Sequence, residues 1–351
     1  MKTEVLAATG DRGRRPGSTT PATKRALKLL REGEVVALPT ETVYGLAADA
    51  LDPIAVAKIF EAKGRPRFDP LIVHLPENDW LEKVADVPAQ DRQLILQLAR
   101  ELWPGPFTMV LPKREMVPDI VTAGLDTVAV RMSADLVFAE IIQALGKPLA
   151  APSANRFGRI SPTTAQHVLD ELGTRIPLII DAGPATHGIE STIVAVREGK
   201  IDILRRGPVT ADELSRFAKI DVVTSAVKIV APGQLPSHYA PKTPLQLIDD
   251  ASTFTPKKEQ RVALLAWKTS MSGGFPAADL VKRRPGELRS LQFVATHCLS
   301  EKQDLREAAA NLFRYLRELD ALNLDLIVAE RVPPQGLGAA INDRLQRAAA
   351  K

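Results

Sequence analysis

The chain has 351 residues, of which 45% are hydrophobic and 25% charged, with a formal net charge of +4. That length exceeds one typical domain, so one large domain plus a smaller one is expected. The charge is too small for a general nucleic-acid coat. Cys298, the only cysteine, excludes an intramolecular disulfide framework and a cysteine-rich metal site, and suits a reducing cytoplasm. No apolar run approaches bilayer length and no secretory signal stretch opens the chain, so no membrane role is expected.

Residues 1–20 read as a flexible basic tail, with 10–20 rich in Gly and Ser/Thr. Apolar spacing predicts a short amphipathic helix over 23–31, stopped by Gly33. A strand follows at 35–38. Asp52 as N-cap with Pro53 at the first helical position predicts a helix over 54–62. Strands at 71–75 and 107–111 flank a helix within 89–102. A strand over 127–132, a helix over 135–145 capped by Ser133, and a short buried strand at 148–151 come next. Strands at 178–181, 193–196 and 201–204 precede a short helix capped by Thr210, and the first domain is expected to end near Lys219. This alternation predicts an open α/β sheet, parallel or mixed.

Residues 220–244 crowd prolines with Ala231-Pro232-Gly233 and read as an ordered linker. Beyond it, strands at 245–248, 262–266, 291–294 and 324–328, with an amphipathic helix over 304–319, predict a small second α/β domain at 245–351. Gly336-Leu337-Gly338 before a helix over 341–349 reads as a tight turn into a packed helix; an anion site at the helix start is the other reading.

Polar or glycine-bearing turns follow apolar runs in three places: 38–47 (L-P-T-E-T-V-Y-G-L-A), 63–67 (K-G-R-P-R) and 152–155 (P-S-A-N). Open α/β sheets place ligands at such turns, so an anion-handling site is expected. Lys63, Arg65 and Arg67 could face one oligophosphate; cations at a solvated helix end are the alternative. Arg131, ending an apolar strand, suits either a carboxylate clamp or a buried ion pair. Ser153, Asn155, Ser161, Ser191 and Thr192 supply neutral donors and acceptors. His74 and His187, two of five histidines, equally suit core positions. No P-loop, dinucleotide fingerprint, nucleophile elbow or clustered metal ligands appear. Orientation and charge neutralisation remain, the main tools of nucleotidyl and phosphoryl transfer with substrate-borne Mg²⁺.

Segments 39–45, 63–65, 70–74, 103–106 (W-P-G-P), 123–127 (A-G-L-D-T), 152–155 and 188–192 (G-I-E-S-T) together resemble the YrdC-like threonylcarbamoyl-AMP synthase family. The linker, through 238–241 (H-Y-A-P), and the extra domain resemble its long two-domain form. The resemblance implies a YrdC-like catalytic domain at 21–219 with an open twisted mixed sheet, a linker at 220–244 across the active site, and a Rossmann-like accessory domain. It implies condensation of L-threonine, bicarbonate and ATP, with Mg²⁺, into threonylcarbamoyl-adenylate and pyrophosphate. The product would serve N6-threonylcarbamoyladenosine formation at tRNA position 37 in the cytoplasm. Partners would be these small molecules and the tRNA threonylcarbamoyl transferase machinery, with room for weak RNA contact.

Carried over by motif, Thr42, His74, Arg131, Ala151 and Ser191 would form the threonine pocket. Lys63 and Arg65 would be catalytic and face the phosphates. Asp69, Thr127, Ser153, Asn155, Ser161, Arg205 and Pro236 would join them around ATP. Two positions depart from the family pattern: Asp69, where Asn is frequent, and Pro236, where some relatives carry an aromatic. Two other classes fit parts of the chain, an RNA-binding module and a carbamoyl-transferring maturation factor. The low aromatic content disfavours the first, and missing acylphosphatase and zinc-finger segments disfavour the second.

Overall fold

The computed structural model describes residues 2–8, 20–223, 232–233, 235, 238–268 and 293–350. The chain divides into two compact units, Met1–Phe157 with Ser161–Gln234, and Gly158–Ile160 with Leu235–Lys351.

The first unit is built on eleven strands: β1 (Glu4–Ala7), β2 (Val36–Leu38), β3 (Gly45–Asp49), β4 (Ile72–His74), β5 (Phe107–Pro112), β6 (Thr127–Arg131), β7 (Leu149–Ala150), β8 (Leu178–Asp181), β9 (Thr192–Arg197), β10 (Lys200–Arg205) and β11 (Lys219–Val222). They form one sheet in the order β1-β8-β2-β3-β7-β4-β6-β5-β9-β10-β11. Parallel pairs such as β4/β6 and β5/β9 alternate with antiparallel ones such as β5/β6 and β4/β7, so the sheet is mixed, as the sequence predicts.

Side chains alternate across a strand, so each strand feeds two faces. Val128 and Val130 of β6, with Val73 and Met109 beside them, join the main core, where the helices Pro53–Lys63, Arg92–Leu102 and Ala165–Leu172 pack. The other face divides. Over β2, β3, β7 and β8 it is covered by the helices Pro21–Arg31 and Leu136–Leu145. Over β4, β6, β5, β9 and β10 lies a small separate apolar set, Ile72, Ala129, Val110, Ile193, Ala195 and Leu204, to which no helix contributes. Arg131 and Thr127 share that face with Ala129, two residues either way along β6.

The helix leading into the site behaves as its sequence dictates. Asp52 accepts from the Ile54 N–H, Pro53 opens the helix, and Gly64 ends it in the left-handed region at φ 60°. Glycine adopts that conformation without the Cβ penalty. Lys63 therefore sits in the last turn, immediately before the chain reverses.

Several expectations need correction. Residues 4–7 of the supposed tail form β1, which pairs in parallel with β8; residues 9–19 lie outside the described residues. Strand β3 is unforeseen because its G-L-A-A-D sequence lacks β-branched residues, yet it is buried throughout. Asp135, not Ser133, caps the helix Leu136–Leu145, accepting from Val137 and Phe138 N–H groups. The first unit also continues past Lys219, because β11 pairs with β10. Most of the expected linker, 224–231 with 234, 236 and 237, lies outside the described residues.

The second unit has a four-stranded parallel sheet of β12 (Leu245–Ile248), β13 (Val262–Ala266), β14 (Ala295–Cys298) and β15 (Leu326–Glu330) in the order β12-β15-β13-β14. The strand expected at 291–294 falls instead at Ala295–Cys298, with 291 and 292 outside the described residues. Among the described residues it also holds the helices Leu305–Asp320 and Gly338–Ala349. A Cβ at Gly338 would lie 1.8 Å from the Pro333 carbonyl oxygen. This supports the tight-turn reading of that glycine, because close backbone approach requires the missing side chain.

Candidate active site

Three clusters of polar side chains are buried around β4 and β6. The first surrounds Arg131 at the carboxyl end of β6. Parallel register sets His74 of β4 directly beside it. The guanidinium donates through Nη1 to Thr42 Oγ1 at 3.2 Å, and through Nη2 to the Gly105 carbonyl at 3.3 Å and to the Glu41 carboxylate. Its Nε–H is buried and meets no hydrogen-bond acceptor. Glu41 also accepts from Ser133 Oγ at 2.5 Å. Burial pushes the Glu41 carboxyl up, but the Arg131 charge, the Ser133 hydroxyl and nearby backbone N–H groups outweigh it and hold the group below the ordinary carboxylate value. The ion-pair reading and the clamp reading of Arg131 are thus compatible: three of its five N–H groups are occupied, while the Nε–H and one Nη1 hydrogen are left.

The polarity of Thr42 follows from its neighbour. Thr40 Oγ1 lies 2.6 Å from the Val43 carbonyl, to which only it can donate. Its hydroxyl proton is then committed, so the 2.8 Å contact between Thr40 and Thr42 uses the Thr42 proton. Thr42 Oγ1 is left as an acceptor, already receiving one bond from Arg131. His74 is 2% exposed, neither ring nitrogen makes a hydrogen bond of good geometry although the Leu149 main chain lies close, and the ring lies 4.8 Å from that of Phe138. Burial, then the Arg131 charge, hold its pKa well below 6.5, so the ring is neutral.

The second cluster gathers the turns after the helix Pro53–Lys63 and after β7. Lys63 Nζ donates to the Ser153 and Asn155 carbonyls at 2.5 and 2.6 Å. Burial, with Arg65 adding to it, pulls its pKa well below the ordinary lysine value against the opposing pull of Asp69 and Glu171. Arg65 donates to the Asp69 and Pro70 carbonyls, packs over the Phe157 ring at 5.9 Å, and lies 2.9 Å from the Asp69 carboxylate. Asp69 is 1% exposed and neither carboxylate oxygen has a geometrically sound hydrogen bond. Burial raises its pKa, opposed by Arg65, Lys63 and Arg205.

Arg205, at the end of β10, anchors the third cluster. It donates to the Ser191 carbonyl and Oγ, both at 3.1 Å, and to the Pro232 carbonyl at 3.2 Å. Ser191 Oγ also lies 2.8 Å from Thr108 Oγ1, and Ser161 donates to Glu190 at 2.5 Å.

Among the expected residues, the structure brings Thr42, His74 and Arg131 together and joins Lys63 to Ser153 and Asn155. It also pairs Arg65 with Asp69 and Arg205 with Ser191. The Ala151 N–H bonds to the Ile72 carbonyl, which ties that main chain to β4. Thr127 stands at the opposite end of β6 from Arg131, ~13 Å away at about 3.3 Å per residue, on the same face. A ligand touching both must lie along the strand over the apolar set. Pro236 is outside the described residues. Glu41, Ser133, Thr40, Thr108 and Glu190 were missed. Glu41 and Thr40 stand inside the P-T-E-T segment, but its irregular backbone gives no periodic signal to show which side chains turn inward.

A mixed α/β sheet carrying a buried Arg131 and a buried Lys63/Arg65 cluster suits a protein that handles anionic ligands by binding and charge. Comparison with known proteins agrees. A family model described as "Telomere recombination" matches residues 28–207, and one described as "Threonylcarbamoyl-AMP synthase, C-terminal domain" matches 209–350. The chain therefore belongs to the threonylcarbamoyl-AMP synthase family, in its two-domain form. It is 39% identical over 329 residues to the threonylcarbamoyl-AMP synthase of Pyrococcus abyssi, covering 92% of each chain. It is 37% identical over 335 residues to that of Bacillus subtilis, covering 94% of this chain and 93% of the relative. The crystal structure of P. abyssi Sua5 complexed with L-threonine superposes with a TM-score of 0.80 at 34% identity, covering 99% of this chain and 98% of that one.

Among the described residues, no helix is long and apolar enough to cross a membrane. No group of three or more His, Cys, Asp or Glu there could hold a metal ion.

Proposed function

We propose that the chain condenses L-threonine, bicarbonate and ATP into threonylcarbamoyl-adenylate and pyrophosphate. Threonine's amine and bicarbonate form a carbamate with loss of water. A carbamate oxygen then bonds to the α-phosphorus as the bond to the bridging oxygen breaks and pyrophosphate leaves. No enzyme side chain is consumed, so the protein contributes orientation and charge stabilisation.

The observation that carries this reading is Arg131, buried with its Nε–H unpartnered beside an acceptor-only Thr42. That pairing complements the carboxylate and the hydroxyl or amine of an amino acid. His74 and Ser191, with the main chain at Ala151, complete the threonine pocket. Lys63, whose Nζ donates to two main-chain carbonyls, would face the departing phosphates with Arg65. Asp69, Thr127, Ser153, Asn155, Ser161 and Arg205 surround the nucleotide. Pro236 belongs to the same set by motif.

Magnesium would enter this site with ATP, held mainly by its phosphates. Asp69, whose oxygens lack hydrogen bonds, is the protein oxygen donor available to it, in keeping with the ion's preference for phosphates plus one or two carboxylates. Bound there, the ion would neutralise phosphate charge. The product would pass to the tRNA threonylcarbamoyl transferase machinery in the cytoplasm for position 37, with at most weak RNA contact by this chain.

The deciding experiment measures pyrophosphate release from Mg·ATP and bicarbonate with L-threonine, L-serine or no amino acid. Threonine-dependent release with a new adenylate is expected. Release indifferent to the amino acid would reject the reading.

A further inference from the structure

We infer that Glu41 is a positioning residue for amino-acid recognition: it holds the Arg131 guanidinium by Nη2 so that the buried Nε–H faces the substrate carboxylate. The inference rests on the threonine-binding reading above and adds to it a residue that the motif comparison does not assign.

The geometry is that of a built support. Glu41 is 7% exposed and lies in the irregular segment between β2 and β3. Its two carboxylate oxygens are divided between Arg131 Nη2 and Ser133 Oγ. Its main-chain carbonyl accepts from the His187 N–H at 2.8 Å, which fixes the residue from a third direction. Each oxygen is thus turned toward a protein donor, and Ser133 lies two residues beyond Arg131 itself. The carboxylate therefore ties the end of β6 to the 39–45 turn, where Thr42 also meets Arg131.

The charge arithmetic supports the same role. Arg131 and Glu41 together are neutral, and His74 beside them carries no charge. Threonine enters as a zwitterion of zero net charge, so the pocket needs direction more than attraction. A guanidinium free to rotate could meet a carboxylate through any of its edges. With both Nη2 hydrogens taken by Glu41 and Gly105 and one Nη1 hydrogen by Thr42, the Nε–H and the second Nη1 hydrogen remain, and Nε is the nitrogen with no partner at all. Breaking one partner of a buried, hydrogen-bonded charge pair is also costly, because the other charge is left uncompensated.

The test is steady-state pyrophosphate release by full-length Glu41→Ala, Glu41→Gln and Ser133→Ala, with KM determined separately for threonine and ATP. Glu41→Ala should raise the threonine KM by about tenfold or more while the ATP KM stays within about twofold. Glu41→Gln keeps an acceptor for Nη2 and should recover most of that loss. Ser133→Ala, which frees one Glu41 oxygen, should raise the threonine KM by ~3-fold. An unchanged threonine KM in Glu41→Ala, parallel rises in both KM values, or no recovery in Glu41→Gln overturns the assignment. If Glu41→Ala does not fold, Ser133→Ala decides: its threonine KM rises selectively or the proposal fails. Absence of threonine-dependent release in the unmodified protein would instead reject the underlying function.

Discussion

Lys63 donates to the main-chain carbonyls of both Ser153 and Asn155, 2.5 and 2.6 Å from its ammonium nitrogen. The amine end of a residue in the last turn of one helix thereby pins the turn that follows β7, although ninety positions separate Lys63 from Ser153. Replacing Lys63 with Ala should lower turnover by ~10²–10³-fold, the range for loss of one transition-state donor. The threonine KM should change little. Equal losses in turnover and threonine affinity would place Lys63 in the amino-acid pocket instead.

The same burial makes Lys63 a proton acceptor. Its pKa lies well below the ordinary lysine value because of burial and the Arg65 charge, and incoming phosphates would raise it. ATP binding at about pH 9, below the reference lysine pKa, should take up a proton. Calorimetry in buffers of different ionisation enthalpy would show this uptake, and Lys63→Met should abolish it. Uptake unaltered in the variant would assign the proton elsewhere.

Arg131→Lys should raise the threonine KM by about ten- to hundredfold, since hydrogen bonds to charged groups contribute ~1.5–3 kcal/mol each. An ammonium cannot reproduce the planar fork that meets Glu41, Thr42 and a ligand together. Calorimetric titration with L-threonine checks this, and wild-type affinity in the lysine variant would show that Arg131 serves only the fold.

His74 should make the protein acid-sensitive. Burial and the Arg131 charge hold its folded pKa well below the ordinary imidazole value of 6.5. As pH falls through 6.5 the unfolded chain binds a proton that the folded chain does not, so stability falls with pH over that window. Below the folded pKa the loss levels off. His74→Gln should flatten the dependence of Tm on pH between about 6.5 and 5. An identical profile in the variant would mean that other groups govern acid unfolding.

Removing residues 1–8 should lower Tm by roughly 3–10 °C, because the parallel ladder of β1 on β8 is lost and a buried edge is opened. Thermal unfolding of the truncated chain tests it, with threonine turnover at low temperature expected to persist. An unchanged Tm would show that β1 adds nothing to the fold.

Much of this architecture was legible along the chain. Asp52, Pro53 and Gly64 set the bounds of the helix that ends in Lys63, because capping and left-handed backbone are decided by residues adjacent in sequence. β5 and β6 were legible because runs such as T-V-A-V-R join β-branched residues to a buried pair of faces. β3 was not, because alanines gain strand character only from the neighbours that bury them.

The site divides along the same line. Sequence by itself determined which residue types end each strand, and the motif resemblance named Lys63, Arg65, Arg131 and His74. Only tertiary structure decided that Glu41 and Ser133 hold Arg131, that Thr40 fixes the polarity of Thr42, and that Thr127 stands a strand's length from Arg131. Hydrogen bonding and burial join residues that are distant in the chain, and no local pattern records which buried donor is left without a partner once the others are satisfied.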